Sequence, residues 1–410
     1  MLPQRHWATK KRLEGFTVRK NPLVDRLAVY PQVALDQRKA EVRASGVTLY
    51  DFGTGDPREP TPDFIRTAVR EAIPEVSQYP TVRGEEAFRD SVAGYMKRRF
   101  GVELDPNTQI LPTSGAKEAI FHMPLMVIDP DAPDRLVVFP DPGYPGYRRG
   151  TLFAGGQPYP QALSGDFKHR PWTLPSNVLD RCRLMWLNSP HNPSGSLLSL
   201  EELKHAFEVC QKHDILLVND ECYADIYHDQ KPHSLLEAGT ENALVLHSLS
   251  KRSGMTGYRS GFVAGDPKVI AQLARLRVNP GLVPSTSLNQ GARVAWEDDQ
   301  HVGTRREVFA QKRAILSRFV EEENLQVVAS EASFYLWIKA PGGLDGETYA
   351  MWLLNHGIVV APGAFFGLGN SSEAFVRVAL VPSVSECKEA LVAWKAAHHE
   401  LREAVESWTS

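Results

Sequence analysis

Four short apolar segments separated by helical patterns constrain the fold of this 410-residue chain most strongly. Segments that are apolar throughout and this short are typical of strands buried on both faces. Between the second and third, residues 199–213 repeat apolar side chains at helical spacing, and Ser199 with Glu202 forms a capping-box pattern. Strands alternating with helices predict an α/β fold with a mostly parallel sheet between helices. The four segments are LVVFP (136–140), LMWLN (184–188), ILLVND (215–220) and ALVLHSL (243–249).

The two ends of the chain carry different patterns from its centre. A helical stretch precedes the turn-rich GTGDPREPTP near residue 60, and alternating segments fill much of the last third, before a final amphipathic helix from Ser383. We therefore predict a large α/β domain over residues 61–288 and a smaller α+β domain. Residues 1–60 would form an N-terminal arm and part of the small domain, and residues 289–410 would form the rest.

Charge and cysteine usage narrow the class of protein. The chain has 46 Lys and Arg against 49 Asp and Glu, a balance that does not favour nucleic acid or an anionic membrane as a partner. Its four cysteines and thirteen histidines show no metal-ligand spacing, and no apolar run reaches the ~20 residues of a spanning helix. The basic N-terminal residues lack the apolar stretch of a secretory signal. We expect a cytoplasmic protein with reduced cysteines and no metal.

A lysine with phosphate-binding neighbours follows the last predicted strand, in SLSKRSGMTGYRSGF (248–262). Taken alone, a lysine at a strand end is more often a solvated charge. Here, however, Ser248, Ser250 and Arg259 offer hydroxyls and a guanidinium to a phosphate, at the sheet edge where open α/β sheets bind ligands. Partial burial would lower the pKa of Lys251, and a lysine with a lowered pKa readily forms a Schiff base.

This segment resembles the cofactor-lysine motif of fold-type I aminotransferases, enzymes of class I/II that depend on pyridoxal 5'-phosphate (PLP). The resemblance implies that Lys251 holds PLP as a Schiff base and that Asp220, at the end of ILLVND, pairs with the pyridine nitrogen. It also implies that Tyr223, in DECYADIY, and Asn192, in NSPHNPSG, contact the hydroxyl oxygen of the ring. Lys251, Asp220 and Tyr223 are then the expected catalytic residues.

Residues 113–128 supply the backbone part of the expected phosphate site. The sequence predicts a helix here whose first turn is Ser114, Gly115, Ala116 and Lys117. Free N–H groups and the positive end of the helix dipole suit an anion, and the resemblance assigns this helix start to the PLP phosphate. It also implies that Tyr144, in DPGYPGY, stacks on the cofactor ring.

The resemblance extends to the substrate and to a second subunit. Arg377, in AFVRVAL, matches the arginine that binds the α-carboxylate of the substrate, and Gly55 matches the loop that covers the substrate. Asn192 is expected to contact the substrate as well as the cofactor. Tyr79, in SQYPTVRG, resembles a tyrosine that reaches the phosphate of the neighbouring subunit. A homodimer with shared active sites is therefore expected, with an amino acid and a 2-oxo acid as substrates.

The likeness covers about residues 45–395 and is greatest to bacterial N-succinyldiaminopimelate aminotransferases of lysine biosynthesis. This implies N-succinyl-LL-diaminopimelate as amino donor, with 2-oxoglutarate and glutamate as the second pair. The chain departs from that subgroup at Gly254-Met255-Thr256, where an Asn, and a Pro before the Gly, are expected. The cations that could bind the distal end of the substrate are Arg148, Arg149, Lys117 and Arg83.

Other functions remain open within the PLP class and find little support outside it. Aspartate, aromatic and methionine aminotransferases and C–S lyases use the same parts. The glycines at 53–55 and 363–369 lack the remaining residues of a dinucleotide or ATP motif, and H-E-x-x-H is absent. About 45 residues precede the matching region, too few for a winged helix plus linker, so a DNA-binding sensor is not favoured.

Overall fold

The computed structural model describes residues 21–26, 31–369 and 371–409, so the predicted basic arm before residue 21 lies outside it. Its α-helices are α1 (Pro22–Arg26), α2 (Pro31–Ala44), α3 (Asp63–Glu71), α4 (Glu86–Phe100), α5 (Ala116–Val127), α6 (Gly146–Phe153), α7 (Ser176–Leu179), α8 (Leu200–Lys212), α9 (Leu249–Arg252), α10 (Pro267–Arg277), α11 (Thr286–Glu297), α12 (Gln300–Glu322), α13 (Gly346–Asn355) and α14 (Val384–Thr409). Its strands are β1 (Tyr50–Asp51), β2 (Ile110–Thr113), β3 (Leu136–Asp141), β4 (Gln157–Ala162), β5 (Cys182–Asn188), β6 (Leu216–Asp220), β7 (Ala243–Ser248), β8 (Gly261–Gly265), β9 (Val327–Val328), β10 (Tyr335–Lys339), β11 (Ile358–Val359), β12 (Ala361–Pro362) and β13 (Phe375–Ala379). Nowhere in these described ranges does a helix combine the length and apolarity needed to cross a membrane.

A seven-stranded sheet forms the centre of the large part of the molecule. Its strand order is β2-β8-β7-β6-β5-β3-β4, and all neighbours are parallel except β8, which is antiparallel to β2 and β7. The four predicted strands are β3, β5, β6 and β7, which are adjacent in the sheet and buried except at Arg183 in β5. Successive side chains serve opposite faces, since Leu217 packs into one core cluster and Val218 into another. The predicted mostly parallel sheet between helices is confirmed.

The carboxyl ends of the parallel strands bring polar residues to one edge of the sheet. Asn188 ends β5 directly opposite Asp220, which ends β6, and Ser248 ends the next strand, β7. The chain then turns straight into α9, because the Ser248 hydroxyl accepts a hydrogen bond from the Ser250 N–H and caps this short helix. Lys251 is thereby held at the same edge. The predicted capping box at the start of α8 is also confirmed.

A second, antiparallel sheet has the order β12-β13-β10-β9, and side chains of β10 and β13 share a core cluster with side chains of the long helices α12 and α14. The segment before the large part joins this region through β1, which pairs in parallel with β11. Aromatic and aliphatic side chains from both ends of the chain, among them Phe52 and Trp394, share one core cluster. The boundary predicted at residue 288 falls inside α11, which contacts α3 and α4. The division into domains stays a prediction.

Candidate active site

A cavity of about 360 Å³ lies at the carboxyl ends of β5, β6 and β7, between the two sheets. It collects residues that are far apart in the sequence, including the amine of Lys251, the carboxylate of Asp220 and the guanidinium of Arg259. The sequence-predicted residues that line it are Gly55, Ala116, Lys117, Tyr144, Asn192, Asp220, Tyr223, Ser248, Ser250, Lys251, Arg259 and Arg377.

Lys251 presents an amine that is readily deprotonated. Its Nζ donates a hydrogen bond to the carbonyl oxygen of Gly55, on the loop that precedes α3. Burial lowers the pKa of this amine to about 8, and the positive charge of Arg377 acts in the same direction, whereas Asp56 partly opposes the shift. A substantial neutral fraction therefore exists near pH 8, as a nucleophilic amine requires.

Asp220 is a buried carboxylate whose hydrogen-bond donors are neutral. The Tyr147 hydroxyl donates to its Oδ2 at 3.0 Å, and the Cys222 backbone N–H donates to its Oδ1 at 3.2 Å. Burial raises the pKa of Asp220, which these hydrogen bonds oppose. A cationic group bound beside this carboxylate would lower the pKa and stabilise the charged form. The protonated nitrogen of a pyridine ring supplies such a cation.

Arg377 lines the cavity and is held by residues on both sides. Its Nη1 donates to Asn192 Oδ1 at 2.9 Å, and its Nη2 donates to the carbonyl oxygen of Gly53 at 3.0 Å. The guanidinium carbon lies 4.3 Å from the ring centroid of Tyr335 and 4.5 Å from that of Phe366, so cation–π contacts fix its plane. The Nε atom is buried without a hydrogen-bond partner among the described residues and remains a donor for a bound carboxylate.

One end of the cavity, where the sequence predicts a phosphate, is lined by Ser248, Ser250, Arg259 and the start of α5. The prediction that α5 begins at Ser114 was wrong, because the helix begins at Ala116 with Gly115 as its N-cap. Gly115 has φ 80° and ψ 163°, a conformation outside the helical region that is almost exclusive to glycine. A Cβ here would lie 2.5 Å from Nη2 of Arg259, so the glycine lets the guanidinium approach.

Two tyrosines in or beside the cavity escaped sequence reasoning. Tyr335 lines the cavity, and its hydroxyl lies 2.9 Å from the hydroxyl of Tyr223. Burial raises the pKa of both phenols, so both stay protonated. Tyr147, within the DPGYPGY segment already singled out for Tyr144, supports Asp220 from helix α6. In the sequence, Tyr335 stands in an apolar strand and Tyr147 stands beside a motif. Aromatic residues in such positions more often pack in the core than bind a ligand.

Several predicted residues lie away from the cavity. The side chain of Tyr79 is fully exposed, and it does not line the cavity of its own chain. Among the candidates for the distal substrate group, only Lys117 lines the cavity. The Arg83 side chain donates instead to the carbonyl oxygen of Asn107, and Arg148 and Arg149 lie on α6 outside the lining.

The residues present fit PLP. A buried acid for a ring nitrogen, an amine with a lowered pKa and a cationic, hydroxyl-rich end for a phosphate occur together in one cavity. Tyr144 adds an aromatic side chain to the lining for a flat ring. The fold and the site thus define a PLP-dependent enzyme of fold type I.

Comparison with known proteins identifies the family. The family described as aminotransferase class I and II matches residues 47–393. The LL-diaminopimelate aminotransferase of Aquifex aeolicus is 34% identical over 378 residues, which cover 89% of this chain and 96% of that protein. An aminotransferase of Neisseria meningitidis is 31% identical with a TM-score of 0.82, covering 91% of this chain and 98% of its own. A probable N-succinyldiaminopimelate aminotransferase of Thermus thermophilus is 26% identical with a TM-score of 0.83. The match covers 90% of this chain and 100% of that protein.

The chain belongs to the class I and II aminotransferases. It is a PLP-dependent transaminase, and the family, fold type and cofactor expected from its sequence are confirmed. Its substrates are amino acids and 2-oxo acids, as in the rest of the family.

Proposed function

We propose that this aminotransferase takes its amino group from LL-diaminopimelate and transfers it to 2-oxoglutarate, with N-succinyl-LL-diaminopimelate as the second candidate donor. The observation that carries the proposal is the 34% identity over nearly the full length of an LL-diaminopimelate aminotransferase. The Thermus thermophilus protein, whose name gives the succinylated donor, is less similar at 26%. The free amino acid is therefore the first candidate.

Within the proposed reaction, the chain would hold the cofactor at both ends. Ser248, Ser250, Arg259 and the N–H groups at Gly115 and Ala116 would bind the phosphate, with Lys117 beside them. Tyr144 would stack on the ring. When bound, PLP withdraws electrons from the α-carbon of the substrate and so makes its proton acidic.

The catalytic side chains would then divide the work of proton transfer. Asp220 would keep a proton on the ring nitrogen, because its buried negative charge stabilises the positive charge of the protonated ring. Lys251, whose pKa lies near 8, would take the proton from the α-carbon of the substrate and deliver it to the aldehyde carbon of the cofactor. Asn192 and Tyr223, which both line the cavity, would bind the ring hydroxyl oxygen.

Arg377 would orient the substrate by its α-carboxylate. One N–H of Nη1 and one of Nη2 are taken by Asn192 and Gly53, so the second N–H on each Nη and the Nε N–H are the donors left for a substrate. The hydrogen bond between Lys251 and Gly55 holds the covering loop against the amine in the cofactor-free protein. Such positioning supports a reaction that needs the α-carbon beside the Lys251 amine.

The proposal includes a homodimer in the cytoplasm. The fully exposed Tyr79 would reach the phosphate site of the partner subunit, and Ile73 and Val76 on the same segment are exposed apolar residues of the kind that subunit interfaces cover. The four cysteines are unpaired, which supports a reducing compartment.

A half-reaction screen tests the donor. Purified enzyme is mixed with LL-diaminopimelate, N-succinyl-LL-diaminopimelate, aspartate, aromatic amino acids or glutamate, and conversion to the pyridoxamine form is followed by absorbance. We expect LL-diaminopimelate to react with the highest kcat/KM and Lys251→Ala to react with none, while remaining folded. Preference for aspartate or an aromatic amino acid would contradict the proposed donor. Cystathionine is added as a further substrate, and its conversion to pyruvate, ammonia and a thiol without an acceptor would indicate a C–S lyase.

A further inference from the structure

The cavity contains an acidic group for which the proposed reaction has no use. Among the described residues that line it, two are acidic, Asp56 and Asp220. Asp220 is buried at the end of β6, where the ring nitrogen of the cofactor is expected. Asp56 is exposed at the cavity mouth, on the loop between β1 and α3. A second carboxylate there changes which substrates the cavity attracts.

The loop that carries Asp56 is held against the substrate side of the cavity. Its carbonyl at Gly53 accepts from Arg377, and its carbonyl at Gly55 accepts from Lys251. Asp56 itself closes a turn, because its N–H donates to the Thr54 carbonyl oxygen at 2.9 Å. The carboxylate therefore belongs to a loop attached to both the expected carboxylate-binding group and the expected proton-transfer group.

The other end of the loop is anchored as well. Lys312, fully buried on α12, donates to the Glu59 carboxylate and to the Leu380 carbonyl oxygen, the latter at 3.2 Å. The Thr61 hydroxyl donates to the Gly254 carbonyl oxygen at 2.7 Å. With both ends fixed, the position of Asp56 is set by the fold.

Each cation that lines the cavity has a binding partner other than Asp56 in the proposed enzyme. The cations that line the cavity are Lys117, Lys251, Arg259 and Arg377. In the proposed enzyme the cofactor would bind Lys117, Lys251 and Arg259, and the α-carboxylate of the substrate would bind Arg377. No cation of the cavity lining would then be left to pair with the Asp56 carboxylate. A substrate that carries a second positive charge, beyond its reacting amino group, would supply one.

We propose that Asp56 is a specificity-determining residue that favours amino donors with a distal ammonium group over donors whose distal end is only anionic. The inference rests on the proposed function and deepens it, because LL-diaminopimelate carries this second ammonium. Succinylation converts the ammonium into an amide and adds a carboxylate, so Asp56 attracts the free amino acid and repels the succinylated one. A partly exposed ion pair contributes up to about 1 kcal/mol, or about fivefold in kcat/KM.

The test compares two donors with the same carbon chain in wild type and in Asp56→Asn. LL-diaminopimelate and L-2-aminopimelate share the reacting end and the distal carboxylate, and only the first has the distal ammonium. We expect the ratio of their kcat/KM values to fall about fivefold in Asp56→Asn and to recover in Asp56→Glu. Any effect of Asp56 on the Lys251 amine acts on both donors alike and cancels in the ratio.

The matched control is Asp131→Asn, which removes the same charge from an exposed site outside the cavity lining and should leave the ratio unchanged. A ratio unaltered in Asp56→Asn, or a fall shared equally by both donors, overturns the inference. If wild type converts neither LL-diaminopimelate nor its N-succinyl form, the proposed donor is wrong, and the inference about Asp56 is tested separately. Lysine and L-2-aminoheptanoate, measured as competitive inhibitors of the preferred donor, then repeat the comparison with an ammonium group against a methyl group at the same position.

Discussion

Replacing Gly115 by alanine tests the phosphate end of the cavity. At φ 80° and ψ 163° the backbone occupies a region that a residue with a Cβ adopts only at a cost of about 1–3 kcal/mol. The new Cβ would also lie 2.5 Å from Nη2 and 3.0 Å from Cζ of Arg259, closer than van der Waals contact allows. The guanidinium must therefore move away from the start of α5.

Displacement of Arg259 should weaken binding of PLP more than it weakens the fold. A hydrogen bond to a charged group contributes about 1.5–3 kcal/mol, so its loss corresponds to a roughly 10- to 100-fold lower affinity for PLP. The dissociation constant is measured by titrating cofactor-free Gly115→Ala with PLP and following absorbance. Urea unfolding of the cofactor-free protein gives the cost in stability separately.

Gly257→Ala is the control for this substitution. Gly257 lies two residues before Arg259, and a Cβ added to it would have no other heavy atom within 4 Å. We expect this variant to bind PLP as wild type does. If Gly115→Ala binds PLP within twofold of wild type, then Arg259 and the start of α5 do not form the phosphate site.

Three other perturbations probe the remaining groups of the site. In the cofactor-free protein, Lys251 should react with an amine-specific reagent with a midpoint near pH 8, as measured by peptide mass spectrometry; a midpoint above pH 10 would contradict its burial. Because this pKa is below the 10.5 of an ordinary lysine, the unfolded chain binds more protons between about pH 8 and 10.5, so the contribution of Lys251 to stability should rise with pH across this window and disappear in Lys251→Met. Tyr147→Phe removes the hydroxyl that donates to Asp220 at 3.0 Å and should destabilise the protein by about 1.5–3 kcal/mol in urea unfolding, whereas an unchanged midpoint would show that this hydrogen bond contributes little. Phe366→Leu removes a ring 4.5 Å from the Arg377 guanidinium and should raise KM for the amino donor about two- to fivefold with PLP affinity unchanged; equal losses in both would point to a general disturbance of the cavity.

The sequence by itself identified four adjacent strands of the seven-stranded sheet and the polar residues that follow them. The continuous apolar segments identified β3, β5, β6 and β7, because a strand buried on both faces is made mostly of apolar side chains, and a polar one must find a hydrogen-bond partner there. The polar residues that end those segments, above all Asp220, had to meet at one edge of a parallel sheet. Local rules therefore located the sheet edge that carries the cavity, whereas the family resemblance supplied the roles of Asn192, Tyr144 and Arg377.

Tertiary structure alone decided which side chains complete the site. Tyr335 meets Tyr223 across 112 residues, and Arg377 meets Asn192 across 185. Such contacts depend on how the second sheet packs against the first, and no periodicity within a segment encodes that packing. The start of α5 was misplaced for a related reason, since the close approach of Arg259 and the conformation of Gly115 are consequences of packing. Local sequence specifies each element, whereas the distances between elements follow from the assembled core.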